Sequence, residues 1–600
     1  MATSTKDLPT SNWNLHRGME DEDEDYEVVV KSRVRADFDD WPNEAGFEGL
    51  TEVRGPVELA VKGSIPNWAA GTLYRTGPGQ YTIENTPTGT FRTTHWFDGF
   101  SHSHKFNIIA SSADSEAPVK VEYSSRRQAQ ALFDAVKRDG RRPDISFGQR
   151  RDPCIGIFGK IMSVWRGTPA QLDPAMENVC VTVQPNIPAL NSRAQGGAMQ
   201  SGHRGGVRSL WLQTDACVIK EIDQHTLEPI GIATQKKLHP LLTGLLSCAH
   251  AQRDPETGDF FNFNLDLGRY ATYRIFRTNA STGTTDILAT ISQSDVQPAY
   301  IHSFFLSPSF VILCVPSSHL GLNGAKITWE GNLADAIQPF DESKSCKWFI
   351  VDRRGDRGVV AAYDSPAGFF FHSINAFEER DEKMGNVEVL CDVIEYPSID
   401  VIRSFEMDVI LQNNGAAKNF WGDETRTRDS LARLTRYKFR VPTLGPGAED
   451  SARRGTPEKV FEIKAPHAGE LPTINPAYTT KKHRYVYSLA NHGRSTLLDT
   501  IVKTDLETRE TVFWDNPKGH TPGEAIFVPR PRAPDDGDRD LDEDDGVLLS
   551  VILDGVGKTS YLVCLDAKTM DELGRAECDF AVAMGFHGFH DPLVNAPARL

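Results

Sequence analysis

The chain has 600 residues, 39% hydrophobic and 24% charged, which is enough apolar side chain to bury a large core and excludes a wholly disordered protein. Its 65 Lys+Arg against 82 Asp+Glu give a formal charge of −17, a surface that repels phosphate backbones and argues against a nucleic-acid partner. No apolar run approaches the roughly 18 residues of a membrane span, the first residues lack the apolar segment of a secretory signal, and nine cysteines without a CxxC pair read as reduced thiols of a cytoplasmic protein.

In chain order, residues 1–45 read as a disordered acidic tail, because the run Glu20-Asp21-Glu22-Asp23-Glu24-Asp25 has the composition of a solvated segment. Residues 46–600 then form a single domain. The clearest helical periodicity lies at 125–138, where Ala129, Leu132, Phe133 and Val136 share a face. Segment 152–165 is apolar with one basic residue. It either packs inside the domain or forms an exposed patch that dips into one leaflet of a membrane, with Cys154 read as a buried free thiol. From about residue 220 a unit recurs: an apolar strand, a turn with Asp and Thr or Gly, and another strand. Its turns centre on Asp223, Asp254, Asp352, Asp505 and Asp566, where side chain-to-backbone hydrogen bonds can close the chain reversal. The acidic stretch 533–546 reads as a surface loop or hinge with nothing to order its carboxylates. After it, two β-rich runs flank Asp554-Gly555, a hairpin signal. Many short strands joined by such turns predict an all-β protein, a β-propeller whose spacing is too irregular for WD40 or kelch repeats.

The common catalytic signatures GxSxG, HExxH, Walker A and the EF-hand loop are absent. Of the 17 histidines, four stand in apolar, strand-like settings: His250, His302, His372 and His587. An unpaired imidazole there is costly unless hydrogen-bonded or metal-bound, although a lone core histidine is more often structural. The gaps of 52, 70 and 215 residues are too wide for a local metal motif. A propeller changes that reading, since strands of different blades converge on its axis.

Several segments together carry a resemblance: GSIPNWAAGTLYRTGPG (63–79), HWFDGFSHSHKF (95–106), CAHAQRDPETGDFFNF (248–263), YIHSFFLSP (300–308), FFHSINAFEE (370–379), PGEAIFVPRP (522–531), EDDGVLLSVIL (543–553) and GFHG (585–588). From about Gly49 to the C-terminus the sequence resembles the carotenoid cleavage oxygenases. The resemblance implies a seven-bladed β-propeller, with a few helices and loops capping an axial iron site. It makes His250, His302, His372 and His587 the ligands of Fe(II), a metal that neutral imidazoles suit while leaving positions open for O2. It makes Glu470 and Glu524 the carboxylates that hold His372 and His587. The third such position falls on Gln213, serving His302 without a charge, with Asp215 as the alternative if the register is off by two. Thr182 falls where some members of the family place a small side chain beside the sixth iron position. His95, His102, His104 and His590 match no ligand position and read as structural.

The resemblance also implies an apolar polyene and O2 as reactants, one conjugated C=C bond cleaved to two carbonyl products, and peripheral membrane contact through 152–165. Stilbene-cleaving members hold a phenol with a Lys and a Tyr; the matching positions here are Leu212 and a site near Arg150, which argues against a phenol. The pattern is most similar to fungal members that cleave torulene. A retinoid isomerohydrolase on the same iron site, or a propeller that only binds carotenoid, are the alternatives.

Overall fold

Turn chemistry organises the chain as the sequence predicts. The Asp223 carboxylate accepts the backbone N–H groups of His225 and Thr226 at 2.9 and 2.8 Å. Asp254, Asp505 and Asp566 do the same for the two residues that follow their own turns. Each such Asp satisfies donors that a tight reversal would otherwise leave unpaired, so each fixes a hairpin. The computed structural model describes residues 16–111, 119–150, 173–190, 206–354, 357–380, 386–441, 454–532 and 541–593. The segment 152–165 lies outside the described residues, as does 533–540.

The hairpins stack into sheets whose neighbours are mostly consecutive in sequence. Thr182–Pro185, Leu210–Gln213, Val218–Ile222 and Pro229–Thr234 form one four-stranded sheet. Gln252–Arg253, Phe260–Asp266, Thr272–Thr278 and Thr285–Ile291 form the next. A sheet opening on Phe305–Leu306, one opening on Phe369–Arg380 and one opening on Glu470–Thr473 follow. Strand pairing alone does not count out the expected seven blades, because one strand is shared by two sheets. Val57–Gly63 pairs with Lys120–Arg127 through its first half and with Glu572–Glu577 through its second, making one continuous ten-stranded sheet. Gly71–Pro78 likewise pairs with both Ser101–Ile109 and Gly588–Pro592, so strands from the two ends of the chain close the molecule on itself. The middle strands are buried on both faces. Phe310–Val315 is wholly buried, and Phe263, Tyr273 and Ile275 of one sheet pack on Phe304, Val311 and Leu313 of the next. Each such side chain contributes about 1.5–3 kcal/mol.

Some of the local expectations are corrected. The acidic run does not sit in a solvated tail: it leads into a helix, Glu22–Arg35, in which Glu22 and Asp25 are buried. Glu22 accepts the Lys464 N–H at 2.9 Å, Asp25 meets the His467 ring at 2.9 Å, and Tyr26, Val29 and Val30 pack on Leu431 and Ala465. Acidic side chains in a first helical turn also meet the positive end of the helix dipole, so a run that composition assigns to solvent is a helix start. The helix expected over 125–138 spans Gln130–Asp139, because Ser125–Arg127 finish the strand Lys120–Arg127, and Gly140 at φ 68° ends it. The hairpin expected around Asp554-Gly555 forms, with Asp554 paired to Thr559 across a loop at 555–558. In the acidic loop, Glu543 accepts the Arg484 and Tyr485 N–H groups and Asp544 pairs with buried Lys503 at 2.6 Å, so both are structural. No helix among the described residues is long and apolar enough to cross a membrane.

Candidate metal centre

Four of the sheets send a terminal strand, or the turn next to it, to one place. His250 stands two residues before Gln252–Arg253, His302 three before Phe305–Leu306, His372 within Phe369–Arg380, and His587 just before Gly588–Pro592. One ring nitrogen from each of these four histidines lies within 4.8 Å of the other three. His302, His372 and His587 are buried and His250 nearly so. The wide sequence gaps are thus closed by the convergence of edge strands.

A second ring of residues fixes the imidazoles. His372 Nδ1 donates to Glu470 at 2.5 Å, His587 Nδ1 to Glu524 at 2.7 Å and His302 Nδ1 to Asp215 at 3.0 Å. Donation from Nδ1 leaves Nε2 unprotonated on each ring. His372 Nε2 and His587 Nε2 then face each other at 3.2 Å, and His250 Nε2 faces His587 Nε2 at 3.0 Å. The lone pairs of His372 and His587 repel at that separation unless a cation sits between them. The neutral, all-imidazole donor set therefore fits a divalent transition metal, Fe(II) among them.

Each carboxylate is itself held twice. Asp215 accepts the Ala249 N–H at 2.9 Å and the Tyr300 hydroxyl at 3.0 Å. Glu470 accepts the Leu471 N–H at 3.1 Å and the Tyr396 hydroxyl at 2.7 Å. Glu524 accepts the Gly588 N–H at 2.8 Å and lies 3.4 Å from Arg75, a buried guanidinium that also donates to the Glu524 carbonyl at 3.0 Å. Burial alone would push both glutamic acids up, but His372 with Tyr396, and His587 with Arg75, hold their carboxyls below the usual range. Burial, reinforced by the neighbouring rings, pushes the His250 pKa well down and keeps that ring neutral. No carboxylate partner of His250 is found among the described residues.

The assignment of Gln213 is corrected. Gln213 ends the strand Leu210–Gln213, pairs in register with Thr182, and its buried side-chain oxygen meets no hydrogen-bond donor among the described residues. The chain runs on for two residues before Asp215 reaches His302, so the alternative register holds and the charge is present after all. The residue before the acidic position is then Thr214, which lines the cavity described below, and not Leu212; neither carries an amine. Arg150 pairs with Glu406 and lies outside that lining. Thr182 donates to the Ala249 carbonyl at 2.7 Å, anchoring the backbone beside His250, while its neighbour Val181 faces the cavity. The other histidines are structural as expected: His95 meets the Ile402 carbonyl at 2.9 Å, His104 the Tyr123 hydroxyl at 2.8 Å and His590 the Ala69 carbonyl at 3.2 Å. His102 is buried without a ring-nitrogen partner among the described residues.

An apolar cavity opens onto His302, His372 and His587. Its wall is mainly aromatic and aliphatic, with Phe97 and Phe405 stacked at 5.4 Å and Phe147, Phe371, Leu498 and Phe586 around them. Such a wall offers contact to a long apolar ligand and few polar partners to anything else.

With this geometry in place, likeness to known proteins is specific. The family model described as retinal pigment epithelial membrane protein matches residues 46–592. The chain is 52% identical to a carotenoid dioxygenase of Neurospora crassa, over 98% of this chain and 97% of that one. It is 46% identical to a torulene dioxygenase of Gibberella fujikuroi, over 96% and 98%. Among solved structures, a Synechocystis apocarotenoid oxygenase variant superposes with a TM-score of 0.67 at 21% identity, covering 92% of this chain and 98% of that one. A cobalt-substituted form of that oxygenase gives 0.65 at 22%, with the same coverage. The chain belongs to the family of carotenoid cleavage oxygenases, and its all-β architecture is that of these propeller enzymes.

Proposed function

We propose that this member of the carotenoid cleavage oxygenase family is an iron(II) dioxygenase that splits one conjugated C=C bond of a torulene-like polyene with O2, giving two carbonyl products. The observation that carries the reading is the junction of two incompatible environments: an apolar aromatic cavity that ends on three of four converging imidazoles. A cavity with this lining selects a hydrocarbon by area and excludes water. The names of the relatives, carotenoid and torulene dioxygenase, support the same class.

His250, His302, His372 and His587 would hold the metal, and the chemistry that iron(II) supplies when bound is the activation of O2. The residues do the rest. Asp215, Glu470 and Glu524 keep the three Nδ1 protons in place, so every Nε2 presents a lone pair. Thr182 secures the backbone beside His250. Phe97, Phe405 and Phe586 orient the polyene, whose position along the cavity decides which bond meets the reactive centre. A cytoplasmic enzyme with peripheral membrane contact through 152–165 completes the reading, since polyenes partition into bilayers.

Iron-loaded protein in detergent is incubated under air with torulene, β-carotene and resveratrol, with oxygen uptake recorded and products identified by mass spectrometry. Apocarotenal formation from torulene with O2 consumed is the expected outcome. Turnover of a retinoid ester without O2 uptake would point to the isomerohydrolase. His302→Ala removes one of the four converging nitrogens and is expected to abolish iron retention; a variant that keeps iron and turns over normally overturns the ligand set.

A further inference from the structure

The last turn of the N-terminal helix and the segment that follows it reach the cavity wall from behind at three residues, Leu497, Thr521 and Met584. Arg33, 1% exposed, donates through Nη2 to the Leu497 carbonyl at 2.9 Å and through Nε to Asn491 at 2.9 Å, and its guanidinium lies 4.2 Å from the centroid of the Trp421 ring. Trp41 donates to the Thr521 hydroxyl at 2.9 Å. That hydroxyl in turn donates to Asn43, whose amide reaches Ser495 at 2.8 Å. The Gly46 carbonyl accepts the Met584 N–H at 3.2 Å, and a Cβ on Gly46 would stand 2.6 Å from the Met584 side chain. Leu497, Thr521 and Met584 all line the cavity. These contacts are not generic burial: three of them end on a wall residue or its backbone, and a buried guanidinium is costly unless its donors are met.

We propose that residues 33–47 form a brace that sets the shape of the substrate cavity, with Arg33, Trp41 and Asn43 as positioning residues that fix which double bond of the polyene is cleaved. The inference rests on the reading of the cavity as the polyene site. The brace acts through Leu497, Thr521 and Met584 and touches neither metal ligand nor carboxylate. Loosening it shifts the wall without disturbing the imidazoles. A misplacement of about 1 Å at a reacting centre costs on the order of 100-fold in rate.

The test compares full-length wild type with Arg33→Met, Trp41→Phe and Asn43→Ala. Four quantities are measured: iron content, quenching of tryptophan fluorescence by torulene without O2, kcat and KM on torulene, and the chain lengths of the products. Wild-type iron content is expected in all three, with kcat/KM lowered about 10-fold or more and products from neighbouring double bonds appearing. A merely structural role would lower thermal stability and leave the product ratio and the torulene affinity as they are. Arg33→Met strips a buried network and could fail to fold. Trp41→Phe removes the indole N–H and leaves a smaller aromatic ring in place, so it and Asn43→Ala decide: wild-type product ratio, KM and quenching in both overturn the brace. A wild-type protein that holds iron but forms no carbonyl product overturns the polyene reading instead, and the brace with it.

Discussion

Two of the three carboxylates around the histidine cluster are held by phenols and the third by a guanidinium. Tyr300 donates to Asp215 and Tyr396 to Glu470, whereas Glu524 faces Arg75. All three arms fix the same tautomer, so the difference is electrostatic. A phenol leaves the carboxylate charge whole, and that charge then raises the basicity of the imidazole it accepts from. Arg75 offsets the charge of Glu524, so His587 receives less of it than His372 does. The His250 arm has no carboxylate at all among the described residues. The four imidazoles are thus graded from strongly to weakly supported donors, a property that the tetrad of histidines alone does not reveal.

The sharpest way to break this comparison is to remove the charge on each arm in turn. Glu470→Gln keeps one acceptor oxygen, enough for His372 or for Tyr396 but not for both, and is expected to lower metal affinity about 10–100-fold. Glu524→Gln does that and also strands Arg75, a buried cation whose loss of partner costs about 3–5 kcal/mol. It is therefore expected to lose metal affinity and to melt well below Glu470→Gln. Cobalt titration against a chelator and thermal melts of the metal-free proteins measure both quantities. Equal melting temperatures would show that Arg75 does not depend on Glu524.

A smaller effect comes from buried histidines that stand outside the metal cluster. Burial lowers the pKa of His95 to about 4, of His102 to about 3 and of His483 to about 4. Their folded values lie below the ordinary value of about 6.5, so the unfolded chain takes up protons first as the pH falls. Stability conferred by these neutral rings is whole above pH 6.5 and declines below it, by up to about 1.4 kcal/mol per pH unit for each ring. The metal-free protein is expected to melt progressively lower between pH 6.5 and 4. His102→Gln should flatten that decline by one ring's share. A melting temperature constant from pH 7 to 5 would contradict the burial assigned to these rings.

The site was more legible in the sequence than the scaffold that shapes it. The histidines stood out because an imidazole in an apolar strand needs a partner, and Glu470 and Glu524 because they sit in motifs matching the family. Asp215 stands in the sequence only as the alternative to Gln213, two residues on. Alternation along a strand puts i and i+2 on one side, so Gln213 and Asp215 are equivalent in pattern, and only the end of the strand at Gln213 separates them. Arg75, Tyr300 and Tyr396 carry no signal at all in one sequence. Their roles depend on pairing with residues far along the chain: 74 positions for Tyr396 and Glu470, 85 for Tyr300 and Asp215, 449 for Arg75 and Glu524. The N-terminal helix was misread because six consecutive acids dominate its composition. What orders it is tertiary: Lys464, His467 and the Leu431 surface supply partners that composition cannot show.

The finest test of the graded arms is to delete a phenol hydroxyl and keep its ring. Tyr396→Phe removes one donor from Glu470, leaving the Leu471 N–H and His372. The ring still packs on Phe371, so the cavity wall is kept. One hydrogen bond to a charged acceptor is worth about 1.5–3 kcal/mol, but Glu470 keeps two other donors and can tighten on them. The expected loss of metal affinity is therefore at the lower edge of that range, about 10-fold. Tyr300→Phe should do less, because the Asp215–His302 contact it supports is the longest of the three, at 3.0 Å. The visible absorption of the cobalt-loaded variants reports whether His372 or His302 has moved. A Tyr300→Phe protein more impaired than Tyr396→Phe would reverse the order of the arms and place the strongest donor on His302.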